Sequence, residues 1–243
     1  MKIKLLFLLV LAVLMINAAG TVFAEDSFTF ELTEAFNYSE KTDNWSIEIS
    51  LPQVSGMASE IEQDELNAYI LSKKDAMLED YQENVVFGEQ ALAEGNTPHF
   101  NYQYYWDVVT DNDDYFVFRI SWFFGAGSST TLNEYFNLDK KTGELLDFDE
   151  DAVTSQEELL HVYESIRAQM DAANEENRKE YGVDLFWTED DSLDIALGNV
   201  EYLNHWYYNQ DDDLVITFDK YEVAPGAVGC PEFVISAESE SAA

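Results

Sequence analysis

The chain has 243 residues, 47% of them hydrophobic and 14% aromatic, so it can bury a core and is not a disordered acidic polymer. Asp and Glu number 49 against 12 Lys and Arg, a formal charge of −37. That charge argues against nucleic acid or an anionic membrane surface as partner, and it suits either a cationic partner or a plainly solvated acidic surface.

Lys2 and Lys4 precede an apolar run from Leu5 to Ile16, and Val22-Phe23-Ala24 places a small residue at a cleavage position. This is the pattern of a secretory signal peptide over 1–24, with export to periplasm, cell surface or medium and no membrane insertion once it is removed. The rival reading, an uncleaved anchor from Leu5 to Ala24, is weakened by Asn17, Gly20 and Thr21. No Cys follows the leader to carry a lipid, and Cys230 stands alone, so no internal disulfide can form. Cys230 reads as a small packed hydrophobe or, in an oxidising compartment, a link between chains.

Phe28 to Leu32 predicts an edge strand. Asn44 to Leu51 predicts a stronger one, with Trp45, Ile47, Ile49 and Leu51 on one face and Pro52 and Gly56 ending it. Ser59 with Glu62 has capping-box spacing, and Leu66, Tyr69, Ile70, Met77, Leu78 and Tyr81 continue a helix to about Tyr81. Ala91 to Pro98 reads as a linker. Asn101 to Thr110 and Tyr115 to Phe124 form a hairpin across Asp111–Asp114, followed by a loop at Gly125–Ser129. Thr131 to Leu138 and Glu144 to Phe148 read as another hairpin around Lys140-Lys141-Thr142-Gly143. Ser155 and Glu158 cap a second long helix to Glu180. Asp184 to Val200 is irregular, and Glu201–Tyr208 with Leu214–Phe218 makes a last hairpin.

The stretch Leu214 to Ile235 holds a shaped loop between two strands. Pro225 and Pro231 fix φ, Gly226 and Gly229 permit positive φ, and the loop so stiffened presents Lys220, Tyr221 and Glu222. The fold class is α+β, antiparallel sheets with two long helices packed on one side. Its divisions are a strand–helix module over 25–98, an α+β module over 99–236 packed with it, and a disordered tail over 237–243.

Catalytic signals are thin. His99, His161 and His205 are scattered, Ser121 lacks the glycines of a nucleophile elbow, and no phosphate-cradling loop occurs, so no cofactor and no catalytic residue is assigned. Asp147, Asp149 and Asp151 alternate ahead of Glu158 as in a calcium loop. Ala152 stands where the sharp turn needs Gly, and the Ser155 capping box accounts for Glu158, so neither calcium nor zinc is expected. The aromatics Tyr102, Tyr104, Tyr105, Trp106, Trp122, Phe123, Phe124, Trp206, Tyr207 and Tyr208 allow a carbohydrate platform as well as a core.

Y-E-V-A-P-G-A-V-G followed by P-E-F (Tyr221–Phe233), with W-S-I-E-I-S-L-P-Q-V-S-G at Trp45–Gly56 and the Leu66-Asn67 pair, resembles the RsiV-like family of extracytoplasmic bacterial domains. Ser121 before a Gly-rich loop, and then N-L-D-K-K-T-G-E-L-L, follow in the same order. The resemblance covers residues 40 to 236. It implies a non-catalytic binding domain like the ectodomains of membrane-bound anti-sigma factors, which bind lysozyme, and like modules beside peptidoglycan deacetylases. The implied binding residues are Ser121, Trp122, Gly125 and Gly127 on one loop and Lys220, Tyr221, Glu222 and Pro225 on the other. Lysozyme or another cationic protein is the implied partner. A cell-wall glycan is the alternative, and a cell-wall enzyme the third. The chain departs from the sensors at F-F-G-A-G, where relatives often have G-G-A-H, and at Gly226, where an aromatic is common. With a leader expected over 1–24, no cytoplasmic sigma-binding region is expected ahead of it.

Overall fold

The computed structural model describes residues 27–188 and 191–236; the expected leader and tail lie outside them. Five strands, β1 (Glu31–Lys41), β2 (Trp45–Ser55), β3 (Phe100–Asp111), β4 (Tyr115–Ala126) and β5 (Ser128–Asp139), form one sheet in chain order. Helix α1 (Glu60–Ala93) lies between β2 and β3. A crossover of that length returns the chain to the end where β2 began, so β2 and β3 run parallel (Trp45 beside Phe100, Ile49 beside Tyr104) while the other pairs are antiparallel. The modules expected at 25–98 and 99–236 therefore share one sheet.

The alternation read in β2 is realised: Trp45, Ile47, Ile49 and Leu51 are buried against Leu66, Ile70, Met77 and Tyr81 of α1. Asn67 ties the helix to the strand, with its Nδ2 donating to Val54 O at 2.9 Å and its Oδ1 accepting from Val54 N at 2.8 Å. The helix does not stop at Tyr81. Val85 and Gly88 continue its packed stripe, and a Cβ at Gly88 would stand 2.8 Å from the Trp45 ring. Nor does Pro52 end β2, which runs to Ser55. Pro52 faces the irregularity in β1 between Glu34 and Phe36 and lies beyond the β2–β3 pairing, so its missing N–H costs little.

A second sheet, β6 (Trp206–Tyr208), β7 (Leu214–Thr217) and β8 (Glu232–Ile235), is antiparallel. Helix α2 (Gln156–Tyr181) begins at the Ser155 cap, ends at left-handed Gly182, and buries Val162, Ile166 and Met170 with Trp206, Ile216, Phe218, Phe233 and Ile235. The irregular stretch before β6 holds one short helix, α3 (Ser192–Leu197). The class is α+β. Each long helix covers a sheet of its own, not one common side, because each sheet has its own apolar face to cover.

The opposite faces of the two sheets meet through Val117 and Tyr135 on one and Tyr207 and Val215 on the other, with the Tyr135 and Tyr207 rings stacked at 4.7 Å. Asn137 of β5, 1% exposed, stitches this seam: its Nδ2 donates to Trp206 O at 3.1 Å and its Oδ1 accepts from Tyr208 N at 3.0 Å.

One expected strand is not formed and another is shorter than expected. Glu144–Phe148 makes only one bridge, Leu145 to Leu138, because Asp147 then caps a π-helical turn over Phe148–Ala152. Glu201–His205 is a turn in which Asn204 takes φ 51°, and β6 begins only at Trp206.

Candidate functional site

β4 and β5 stay paired to their tips, Gly125 opposite Ser129 and Ala126 opposite Ser128. The expected loop is thus a tight hairpin turn at Gly127, φ 79°, which projects into open space. Beside it runs the chain after β7. Val223 and Ala224 are buried in the second core and anchor this loop, while Tyr221 and Pro225 face outward. Lys220 fastens the two loops together, its Nζ donating to Ser129 O at 2.6 Å.

Tyr221 is 52% exposed and adopts φ 78°, a left-handed conformation that costs a bulky residue about 1–3 kcal/mol. Its ring lies on Gly226, where a Cβ would stand 2.2 Å from the Tyr221 Cζ, so the absence of a side chain at Gly226 makes room for the ring. The Lys220 ammonium sits 5.2 Å from the ring centroid.

Ser121 needs correction. It is fully buried and cannot touch a partner, because it faces the seam. Its Oγ donates to Asn133 Oδ1 at 2.7 Å, and the Asn133 backbone N–H donates to Asp219 Oδ1 at 3.1 Å. From Asp219 the polar chain continues to His205 Nε2 at 3.2 Å, and from His205 Nδ1 to Glu222 Oε2 at 3.7 Å. Ser121 and Glu222 are therefore joined through the interior. Trp122 is half-buried and stacked on Phe124 at 6.3 Å. Glu222 is half-buried, and its Oε2 accepts the Asp219 N–H at 2.6 Å. Burial pushes the Glu222 carboxyl above its ordinary value and the Asp219 carboxylate adds to this, while that backbone N–H and His205 oppose it. Burial, with the charge of Asp219, likewise raises the Cys230 thiol, which points at Thr131 O.

Sequence reading missed His205 and Asp219. Their signal was not a spacing: pairing of Trp206 with Ile216 brings His205 O to Thr217 N at 2.8 Å, and only that register sets the ring beside Asp219.

Gly125, Gly127 and Lys220 also line a cleft of about 690 Å³ with Lys41, His99 and Asn101. The aromatic platform is not assembled. Tyr102, Trp206 and Tyr207 are buried, and of the residues considered only Tyr105 is exposed. The calcium-loop carboxylates are turned onto backbone: Asp147 accepts from Asp149 and Glu150, Asp151 from Asp147, and Glu158 from Thr154.

A profile of the family described as "Protein of unknown function (DUF3298)" matches residues 148–238, the stretch that builds the second core. This region is similar to a DUF3298 domain. The chain is 26% identical over 196 residues to the anti-sigma-V factor RsiV of Bacillus subtilis (strain 168), a match spanning 81% of this chain and 64% of that protein. The chain therefore spans under two-thirds of that relative's length. A crystal structure of a DUF3298 family member from Bacteroides fragilis NCTC 9343 matches with TM-score 0.50 and 14% identity over 86% of this chain and 91% of that one, which shows a common fold. A DUF3298 family protein from Pseudomonas aeruginosa PAO1 gives 0.46 and 14% over 87% and 91%. No helix among the described residues is long and apolar enough to cross a membrane.

Proposed function

We propose that this chain is an exported, non-catalytic sensor-like domain that binds a protein partner through the Gly127 turn and the Lys220–Pro225 loop. The observation that carries this reading is Tyr221, a large aromatic held half in solvent in a strained backbone conformation, next to a second loop fixed by Lys220. Strain of this kind persists where the surrounding structure imposes it, and it clusters at binding and switch sites. Exposed tyrosines on rigid loops anchor interfaces because little side-chain entropy is lost on binding.

The partner class follows from charge and kinship. A chain of formal charge −37 steers cationic proteins toward itself, and the relative named as an anti-sigma-V factor belongs to the kind of sensor that the motif resemblance links to lysozyme. Lysozyme is therefore the first partner to test. Tyr221→Ala is expected to raise the dissociation rate and weaken the complex by about 2 kcal/mol while leaving the fold intact. Added salt is expected to slow association with the unaltered chain. A folded Tyr221→Ala chain with unchanged affinity for lysozyme would remove this loop from the interface. No lysozyme binding at low salt would remove that partner. Sedimentation with purified cell wall would then favour the glycan alternative, for which the polar cleft beside Gly125 offers room.

A further inference from the structure

His205, Asp219 and Glu222 offer one ring nitrogen and two carboxylate oxygens within 4.8 Å of one another. His205 is 2% exposed and Asp219 8%. Carboxylates withdrawn from water need a cation, a proton or a full set of donors. The nearby Lys220 does not supply the charge, since its ammonium is turned to Ser129 O.

The hydrogen bonds decide what the imidazole can do. Asp219 Oδ1 is held by the Asn133 N–H, which orients the carboxylate, and Oδ2 lies 3.2 Å from His205 Nε2, which donates to it. In the neutral ring with its proton on Nε2, the other nitrogen carries the lone pair. Among the described residues, His205 Nδ1 is the one buried side-chain nitrogen or oxygen without a hydrogen-bond partner. It faces Glu222 Oε2 at 3.7 Å. A lone pair opposite a carboxylate oxygen is repulsive, so the pair calls for a positive charge between the two atoms, either a second proton on the ring or a cation. Two ligands bound to one tetrahedral ion at about 2.0–2.2 Å stand about 3.4 Å apart, which is close to the spacing found. A carboxylate behind a ligating histidine fixes the tautomer and raises the basicity of the ring, the role Asp219 is placed to fill.

We propose that His205 Nδ1 and Glu222 Oε2 ligate a divalent cation of the zinc type, with Asp219 accepting from Nε2 behind the ring and water completing the coordination. An imidazole with a carboxylate suits zinc, whereas calcium takes six to eight oxygens. The Glu222 side chain, 20% exposed, gives water and metal their entry. The expectation from sequence that zinc has no site rested on the scattering of the histidines, and this site needs only one of them. The ion would pin Glu222, and so the base of the loop carrying Lys220 and Tyr221, to the turn before β6.

The test is zinc titration of the chelator-stripped full chain by calorimetry, with cobalt as a visible probe of tetrahedral coordination. One equivalent is expected. His205→Ala and Glu222→Gln should each abolish it, and Asp219→Asn should weaken it about 10–100-fold without loss of fold by circular dichroism. Should His205→Ala fail to fold, Glu222→Gln and the cobalt spectrum of the unaltered chain still decide. Absence of zinc uptake by the stripped chain, or uptake unchanged in Glu222→Gln, overturns the proposal. So does a His205 ring found by NMR to carry protons on both nitrogens at neutral pH in the presence of zinc, since a proton would then fill the gap.

Discussion

The seam between the two sheets is stitched by β5 at two places four residues apart, Asn137 and Asn133, and the two stitches differ. At Asn137 the amide donates once and accepts once, to backbone groups of β6. The same economy holds at Asn174, fully buried on α2, which accepts from the N–H groups of Leu185 and Phe186 and donates to Phe186 O. At Asn133 the polar chain runs on through Asp219 to His205 and Glu222 and ends with a ring nitrogen that has no partner. A neutral amide can close a backbone gap at both ends, so it serves as structure. An imidazole between two carboxylates has chemistry left over, and it lies under the loop that presents Tyr221.

The largest effect expected is that of Asn137→Asp. The change is isosteric, yet it removes the donor to Trp206 O and buries a carboxylate against a carbonyl. A loss of about 4 kcal/mol is expected in urea unfolding at neutral pH, partly regained in acid as the carboxyl is protonated. Asn174→Ala comes next. It leaves three backbone groups of Leu185 and Phe186 without partners and is expected to cost about 3 kcal/mol. A loss under about 1 kcal/mol for either would show that water replaces the amide, and the contrast with the His205 cluster would fail.

How much of this could be read in advance follows from the range of each signal. The β2 face, the Ser59 and Ser155 caps and the β3–β4 hairpin are written in neighbouring residues, and they form as expected. The extension of α1 past Tyr81 was hidden because Gly88 looks like a breaker until Trp45 is seen filling the space beside it. Pro52 misled for the same reason: its tolerance depends on an irregularity in the partner strand. Of the candidate site, Lys220, Tyr221 and Pro225 were legible from loop punctuation and motif order. Ser121 was read as surface because its burial depends on a second sheet that forms some 85 residues later. The meeting of His205 with Asp219 is a product of strand register, and a single sequence does not display register between short strands.

The mirror exchange, Asp219→Asn, sharpens the comparison from the other side. The amide keeps Oδ1 as acceptor for the Asn133 N–H and removes one buried charge. In chelator, stability is expected to stay within about 1 kcal/mol of the unaltered chain, far less than for Asn137→Asp. A loss as large as that of Asn137→Asp would mean that the His205 cluster is as structural as the Asn137 stitch.

The smallest expected effect is also the one that separates fold from function most cleanly. At φ 78°, Tyr221 sits where glycine is at ease and an L side chain is not. Tyr221→Gly relieves about 1–2 kcal/mol of backbone strain, and it gives back about 0.4–1 kcal/mol through the greater freedom of the unfolded chain. Since the ring is 52% exposed, little core packing is lost. The net expectation is a gain of about 0.5 kcal/mol in stability, together with the loss of partner binding expected of Tyr221→Ala. Tyr221→Val, β-branched at the same φ, should instead be destabilised by about 1–2 kcal/mol. If Tyr221→Gly were the less stable chain by more than about 1 kcal/mol, the contact of the ring with Gly226 would be holding the loop in place, and the strain at Tyr221 would belong to folding and not to recognition.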